Sequence, residues 1–350
     1  MSMRVGVLTG GGDAPGLNAA ICGLGRRLVA AEAELIGFAD GWRGLIHDES
    51  VALNHADFQH LLIHGGTLIG SSGDNPYRDP DVMVPKVLAT IARHRLDALV
   101  AIGGEGTLGA AERLHREHGV KVVGIPKTID NDLEATDFTF GFFSAVEVAT
   151  RAMDDLRSTA ESHSRVMVVE CMGRHAGWIT AYAGVAAAAE GILVPERPAH
   201  IEELCEKLLR LRASGANSAV VAVAEGTRVF ENGACLSSME KDEFGEYLTG
   251  GMAQLVAKKI KQRIGWDSRH LVLGHLQRAG QPIAFDRIFA LRLGARAARL
   301  VLEQRFGFMA AMRAGEIVEV PLAAAVAQRK TLTDQFLDRY ETFFLPIQGT

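Results

Sequence analysis

Residues 124–133 read GIPKTIDNDL and follow directly on the apolar run VKVV. A chain leaving a buried strand here places Lys127, Thr128, Asp130 and Asp132 within six residues. In an extended segment Asp130 and Asp132 point to one side and Asn131 to the other. One such carboxylate can take a proton from an attacking hydroxyl while its neighbour organises a metal ion through water. Lys127 adds a compact positive charge beside a transferred group, and Thr128 adds a hydroxyl donor. An Asp/Asn-rich turn after a strand is common. It accounts for the aspartates but not for the lysine and threonine ahead of them.

Two glycine loops could receive the anionic end of a substrate. The first is Thr9-Gly-Gly-Gly-Asp-Ala-Pro-Gly-Leu-Asn18, containing Gly11; the second is Gly103-Gly104-Glu105-Gly106-Thr107. Glycines let backbone amides approach a phosphate, and a following helix N-terminus adds a favourable dipole. Either loop alone reads equally well as a tight strand-to-helix turn. Neither is a Walker A loop, and Asp13 and Pro15 break a GxGxxG fingerprint in the first. Glu105 sets a carboxylate beside the amides, as Mg²⁺ against phosphate oxygens requires, or is an acidic helix start favoured by the dipole.

Basic groups recur at other strand ends: Arg165, Arg174 with His175, Arg269, and His275 with Arg278. A single arginine is more often a solvated charge. Several ending apolar strands suggest a pocket for one or two phosphates, because guanidinium forks match phosphate oxygens. The formal net charge is −5, so an anionic substrate has to be held by such a local cluster. The same balance argues against nucleic-acid and membrane partners. His60 and His64 stand four apart without a third ligand at helical spacing, and His115 and His118 read as a helix end.

These residues need a scaffold. Short Val/Ile-rich runs at 4–9, 34–38, 97–102, 120–125, 165–171, 218–224 and 270–275 alternate with amphipathic stretches such as 201–213. Runs apolar on both faces predict parallel sheet covered by helices, with ligands at the carboxyl ends of the strands. A length of 350 residues suggests two domains, and 48% hydrophobic residues suffice for sizeable cores. Nothing repeats and no linker separates two halves, so the reading is two closely packed α/β lobes with more than one crossing between them. Residues 227–268 read as a polar excursion followed by a helix. Four scattered cysteines, an amino terminus that enters a strand at once and no long apolar stretch suit a cytoplasmic protein.

Taken together, the segments LTGGGDAPGLNA, GGTLIGSS, IGGEGTLGA, PKTIDND, TAESHSR, MGRHAGW, VAEG and LGHLQRAG resemble the 6-phosphofructokinase family in this order over most of the chain. The likeness is to its bacterial A type, in a mixed-substrate-like group with Gly106 and Lys127. The resemblance implies two Rossmann-like α/β/α lobes with mainly parallel sheets and the active site between them. The nucleotide lobe would comprise 1–141 plus about 277–325, and the sugar-phosphate lobe 142–276 plus 326–350. It implies phosphoryl transfer to the 1-hydroxyl of fructose 6-phosphate in glycolysis, with Mg²⁺. Asp130 would be the base, supported by Thr128 and Asp132, with Lys127 and Arg174 also in the catalytic set. Glu105 and Asp132 would serve the metal, and Gly11, Arg78, Gly104, Glu105, Gly106 and Thr107 the nucleotide. Met172, Gly173, Arg174, Glu225, His275 and Arg278 would line the sugar phosphate. Arg165 and Arg269 resemble arginines that reach in from a neighbouring subunit, implying a homodimer or homotetramer with shared sites.

Cys22 and Ser218 stand where allosterically regulated members carry an arginine and, nearby, a lysine. Gly73 replaces a common arginine, with Arg78 nearby. Two positions bear on the donor. Gly106 leaves the passage for a nucleotide α-phosphate open, whereas Lys127 is the residue of pyrophosphate-dependent members. An open channel is the harder requirement, so the expectation is ATP, with pyrophosphate as the alternative. Other readings are a sugar-phosphate sensor, an NAD kinase sharing the GGEGT loop, and activity on sedoheptulose 7-phosphate.

Overall fold

A computed structural model describes residues 2–237 and 250–345. The chain divides into two compact units: residues 1–129, 133–144 and 278–329 form the first, and 130–132, 145–277 and 330–350 the second. It passes between them at 129/130, 132/133, 144/145, 277/278 and 329/330. The TIDND aspartates thus group with the second unit rather than the first, and residues 326–329 with the first rather than the second.

The first unit is built on seven strands: β1 (Arg4–Thr9), β2 (Glu34–Phe38), β3 (Ser50–Leu53), β4 (Ala98–Gly103), β5 (Val122–Pro126), β13 (Phe308–Arg313) and β14 (Glu316–Pro321). Their order is β14-β13-β5-β4-β1-β2-β3. Only the edge strands β3 and β14 run antiparallel to their neighbours. Alternation along the strands fills two cores. Val5, Val7, Val100 and Ile102 pack with helices Leu17–Ala30 and Ala284–Leu302, while Leu8, Leu99 and Ala101 pack with helices Pro80–His94 and Glu105–His118. The unit is therefore an α/β/α lobe.

The second unit holds β6 (Val166–Cys171), β7 (Gly191–Leu193), β9 (Ala219–Ala224) and β12 (Ser268–Val272), all parallel in the order β12-β6-β9-β7. Val166, Val168, Val221 and Val223 face helices Ile201–Ala213 and Met252–Ile264. Gly184 of helix Trp178–Ala186 lies against Ile192 and Ala222, where a Cβ would stand 2.7 Å from Ile192. A small sheet, β8 (Ala199–His200), β10 (Val229–Glu231) and β11 (Ala234–Cys235), holds part of the polar excursion; residues 238–249 lie outside the described residues.

Most predicted strands lie within one or two residues of those observed. The run at 270–275 does not: β12 starts at Ser268 and stops at Val272, and His275 sits in the 3₁₀ turn Gly274–Gln277. Gly274 ends the extended run because its φ of 49° is left-handed. His60 caps a 3₁₀ turn, Leu61–Ile63, instead of riding a helix with His64. Among the described residues no helix is long and apolar enough to cross a membrane.

Candidate active site

In the first unit β1, β4 and β5 lie side by side and deliver three loops to one sheet end. The glycines at these ends answer to Thr107. A Cβ on Gly10 would stand 2.6 Å from Thr107 Oγ1, and one on Gly103 would stand 2.4 Å from Thr107 Cβ. Thr107 is buried and acts as the packing peg between the two loops. The first loop offers fewer amides than expected. The Gly10 amide donates to Ile102 O at 2.9 Å and the Gly11 amide to Ser72 O at 2.8 Å. Bonds that tie the loop to β4 and to Ser72 have taken both donors. The second loop keeps its donors: Gly104 caps helix Glu105–His118, whose first amides have no acceptor within the helix. Open amides at a helix start are the chemistry that favours an anion.

Lys127 is 3% exposed, and its ammonium donates to the Gly12 carbonyl at 2.5 Å. It also lies 3.4 Å from where a Gly11 Cβ would stand, so the charge sits beneath the first loop. Arg278, grouped by sequence with the sugar-phosphate residues, belongs to the first unit, with its guanidinium over Gly12. Glu105 pairs with Arg329 at 3.2 Å and is accessible. Gly106 has nothing within 4 Å of its Cβ position. Asn75, which caps the turn Pro76–Arg78, donates to Gly106 O at 3.3 Å and so fastens the start of that turn to this loop. A cavity of about 370 Å³ opens over this helix face, lined by Asn75, Tyr77, Gly106, Gly109 and Arg113 among others.

From β5 the chain continues through Lys127–Ile129 into Asp130–Asp132. Asn131 adopts a left-handed φ of 52° and is buried; Asp130 and Asp132 are partly exposed. In the second unit the MGRHAGW loop leaves β6, with the Gly173 amide on Glu225 Oε1 at 3.4 Å and the Met172 amide on Gln277 Oε1 at 3.3 Å. Gly226 is a glycine because its Cβ would fall 2.0 Å from the Arg174 carbonyl. These contacts join the MGRHAGW, VAEG and LGHLQR segments, including the turn that carries His275. Arg165 and Arg269 both reach Asp267, at 2.7 and 2.8 Å.

Sequence reading missed four residues that hold these groups: Asn75, Asp267, Arg329 and Lys330. Only Asp267 carried a signal, an acid two positions before Arg269 at the start of a strand.

A family model described as Phosphofructokinase matches residues 4–301. The chain belongs to the phosphofructokinase family. Membership makes it a phosphotransferase on two α/β/α lobes. It is 50% identical over 344 residues to the pyrophosphate–fructose 6-phosphate 1-phosphotransferase of Amycolatopsis methanolica, covering 98% of this chain and 100% of that one. It is 44% identical over 333 residues to ATP-dependent 6-phosphofructokinase 3 of Streptomyces coelicolor, covering 95% and 97%. Among solved structures, Pichia pastoris phosphofructokinase in the T-state superposes with a TM-score of 0.81 at 32% identity. That match covers 93% of this chain and 36% of the longer yeast chain. The pyrophosphate-dependent phosphofructokinase of Marinobacter aquaeolei shares the fold, with a TM-score of 0.81 at 23% identity, covering 98% and 88%.

Proposed function

We propose that this phosphofructokinase transfers a phosphoryl group from pyrophosphate to the 1-hydroxyl of fructose 6-phosphate. The observation that carries the donor is Lys127. Pyrophosphate is a compact polyanion with no base to bury, so its binding has to come from cations, amides and a metal ion. A buried ammonium under the first glycine loop supplies the cation at the strand end where the second loop supplies amides. Relatives at 50%, 46% and 45% identity bear pyrophosphate in their names, which reverses the order of donors expected from sequence.

In this reading Asp130 takes the proton of the sugar hydroxyl, with Thr128 and Asp132 supporting it. Glu105 and Asp132 would hold Mg²⁺, a hard cation that one or two carboxylates together with substrate phosphates commonly bind. When bound, the ion screens charge on the transferred group. Gly11, Gly104, Gly106, Thr107 and Arg78 form the donor side, with Arg278 drawn towards it by its place over Gly12. Met172, Gly173, Arg174, Glu225 and His275 form the acceptor side.

A second reading, ATP as donor, rests on Gly106. Glycine in a first helical turn costs stability, and the empty space around its Cβ position gives the fold no reason for it. The cavity beside it has room for more than phosphates. Parallel assays of the purified chain with Mg-pyrophosphate and Mg-ATP decide the matter, with sedoheptulose 7-phosphate as a second acceptor. Turnover with ATP alone overturns the pyrophosphate reading. Lys127→Met should lower kcat/KM for pyrophosphate at least about tenfold, the scale of a lost charge-assisted contact. Asp130→Ser should lower kcat at least about a hundredfold while sparing sugar-phosphate affinity.

The same reading includes a homo-oligomer in which Arg165 and Arg269 complete a neighbour's site. Its support is β12, an edge strand whose residues 269–272 are all exposed, with Leu276 beyond it 63% exposed. Among the described residues nothing pairs this edge, and an open edge that exposes Leu271 and Val272 with Leu276 beyond it invites a second chain. Mixing Arg165→Ala with Asp130→Ser chains should restore activity, and a fully active monomer in sedimentation excludes the arrangement.

A further inference from the structure

The sequence motif MGRHAGW ends in a tryptophan that phosphate or sugar binding does not explain. Trp178 opens helix Trp178–Ala186, and its indole Nε1 donates to the Lys330 carbonyl at 3.1 Å. Lys330 lies far along the chain, in a stretch without any recognised motif. Its backbone amide donates to the Asp132 carbonyl at 2.9 Å, and its ammonium donates to Asn131 Oδ1 at 3.1 Å. The ammonium also stands 5.6 Å over the Trp178 ring. All these residues belong to the second unit.

Two residues further on, the Leu332 amide donates to Glu196 Oε1 at 3.0 Å; the same carboxylate accepts the Gly177 amide at 3.0 Å. Burial raises the Glu196 carboxyl above its usual range, and the backbone amides of Gly177 and Leu332 oppose that rise. Residues 330–332 thus form a strap fastened on one side to the Asp130–Asp132 turn and on the other to the end of the MGRHAGW loop. Phe336, in helix Asp334–Arg339, packs against Trp178 and Tyr182 with ring centroids 5.6 and 5.5 Å apart and anchors the strap downstream.

We propose that Lys330 is a positioning residue for phosphoryl transfer: its ammonium fixes the Asn131 turn, and its carbonyl registers that turn against the MGRHAGW loop through Trp178. The physical case rests on Asn131. A left-handed residue between two aspartates sets the direction in which the chain carries each of them, and for a non-glycine residue that conformation has to be held by its surroundings. A charge-assisted bond to the Asn131 side chain and a backbone bond one residue later hold it from the same strap. Misplacing a reacting carboxylate by about an ångström can cost on the order of a hundredfold in rate. In this scheme Lys330 is assigned its role through its bonds to Asn131 and to the Asp132 carbonyl. It acts through Asp130 and Asp132, and so the inference rests on the proposed role of those two residues.

The test is Lys330→Met, which keeps an aliphatic stem beside Trp178 and removes the donor. With whichever donor turns over, we expect kcat to fall about ten- to a hundredfold and KM for fructose 6-phosphate to stay within about twofold. Asn131→Gly keeps the left-handed backbone accessible without the side chain. It should lose as much, and the double variant no more than either single one. Hydrogen exchange provides a readout independent of catalysis: amides of 129–133 and 177–180 should lose protection in Lys330→Met. Unchanged protection in both segments overturns the strap, whatever the activity. Lost protection with unchanged kcat overturns the positioning role, and additive losses overturn the link through Asn131. An inactive unsubstituted chain instead overturns the proposed reaction and leaves the exchange measurement to decide the strap.

Discussion

Arg165 and Arg269 share one carboxylate, Asp267, which takes Arg165 Nε on one oxygen and Arg269 Nη1 on the other. Lys261 joins them at 3.0 Å and, with Arg269, lowers the Asp267 carboxyl to about 2. The carboxylate therefore keeps its charge, and holds both guanidinium groups, throughout the neutral and mildly acidic range. The pairing would fail only as pH fell from the usual carboxylate range through about 2.

If these arginines bind the sugar phosphate of an adjacent site, Asp267→Asn should release both. The expected outcome is a rise in KM for fructose 6-phosphate of roughly five- to fiftyfold, with a smaller change in kcat. Unchanged KM would remove Asp267 from the site. KM in the unsubstituted enzyme should show no titration by this group between about pH 5 and 8.

Gly106→Asp should fold at least as well as the parent, because the Cβ meets open space and an acid in a first helical turn gains about 0.3–1 kcal/mol. The melting temperature should hold or rise. Activity with ATP should disappear while activity with pyrophosphate persists. Equal loss with both donors would show that the residue does not discriminate between them.

Thr107 and Gly10 should behave as a pair. Gly10→Ala places a methyl 2.6 Å from Thr107 Oγ1 and should cost about 1–3 kcal/mol in denaturant unfolding. Adding Thr107→Ala removes Oγ1 and Cγ2 and leaves only the Cβ, 3.3 Å away, so the double variant should recover most of that loss. An additive double variant would contradict the packing described.

Asp286 accepts both the amide and the hydroxyl of Ser144, each at 2.7 Å, and so caps helix Phe142–Ser162 from outside. Burial raises its carboxyl to about 6 against an ordinary 3.8. The folded chain therefore holds a proton that the unfolded chain has released. Its stabilising contribution is full below about pH 4 and is lost as pH rises through about 6. Asp286→Asn keeps an acceptor without the titration. The stability difference between variant and parent should shift by about 2 kcal/mol between pH 4.5 and 7, in favour of the variant at the higher pH. A difference independent of pH would refute it.

Much of this could be read in the sequence because chemistry and fold coincide in short segments. Val/Ile runs announce β1, β4, β5, β6 and β9, and each leads into a loop whose residue types carry meaning on their own. What could not be read is what depends on partners distant in sequence. Lys330 and Arg329 look like any basic pair until the chain returns to the TIDND turn and the Glu105 loop. The edge strands β3 and β14 are short or mixed in character, so their antiparallel pairing leaves no alternation to read. The first loop is ambiguous in a different way. Gly10 is required by Thr107, Gly11 adopts a left-handed φ of 79° and Gly12 lies against the Arg278 guanidinium, and glycine content alone does not separate close packing from an open phosphate cradle.

The strand order also governs how the chain is made. Between β5 and its neighbour β13, residues 126 and 308, the ribosome adds everything that forms the body of the second unit. At about 5–20 residues per second, β5 waits roughly ten to forty seconds with one hydrogen-bonding edge unpaired and with Val123 and Ile125 lacking the helix Ala284–Leu302 that shares their core. The nascent first unit is a sticky intermediate throughout that interval. Chains interrupted before about residue 308 should therefore be aggregation-prone fragments and substrates for chaperones, however well their amino-terminal strands are formed.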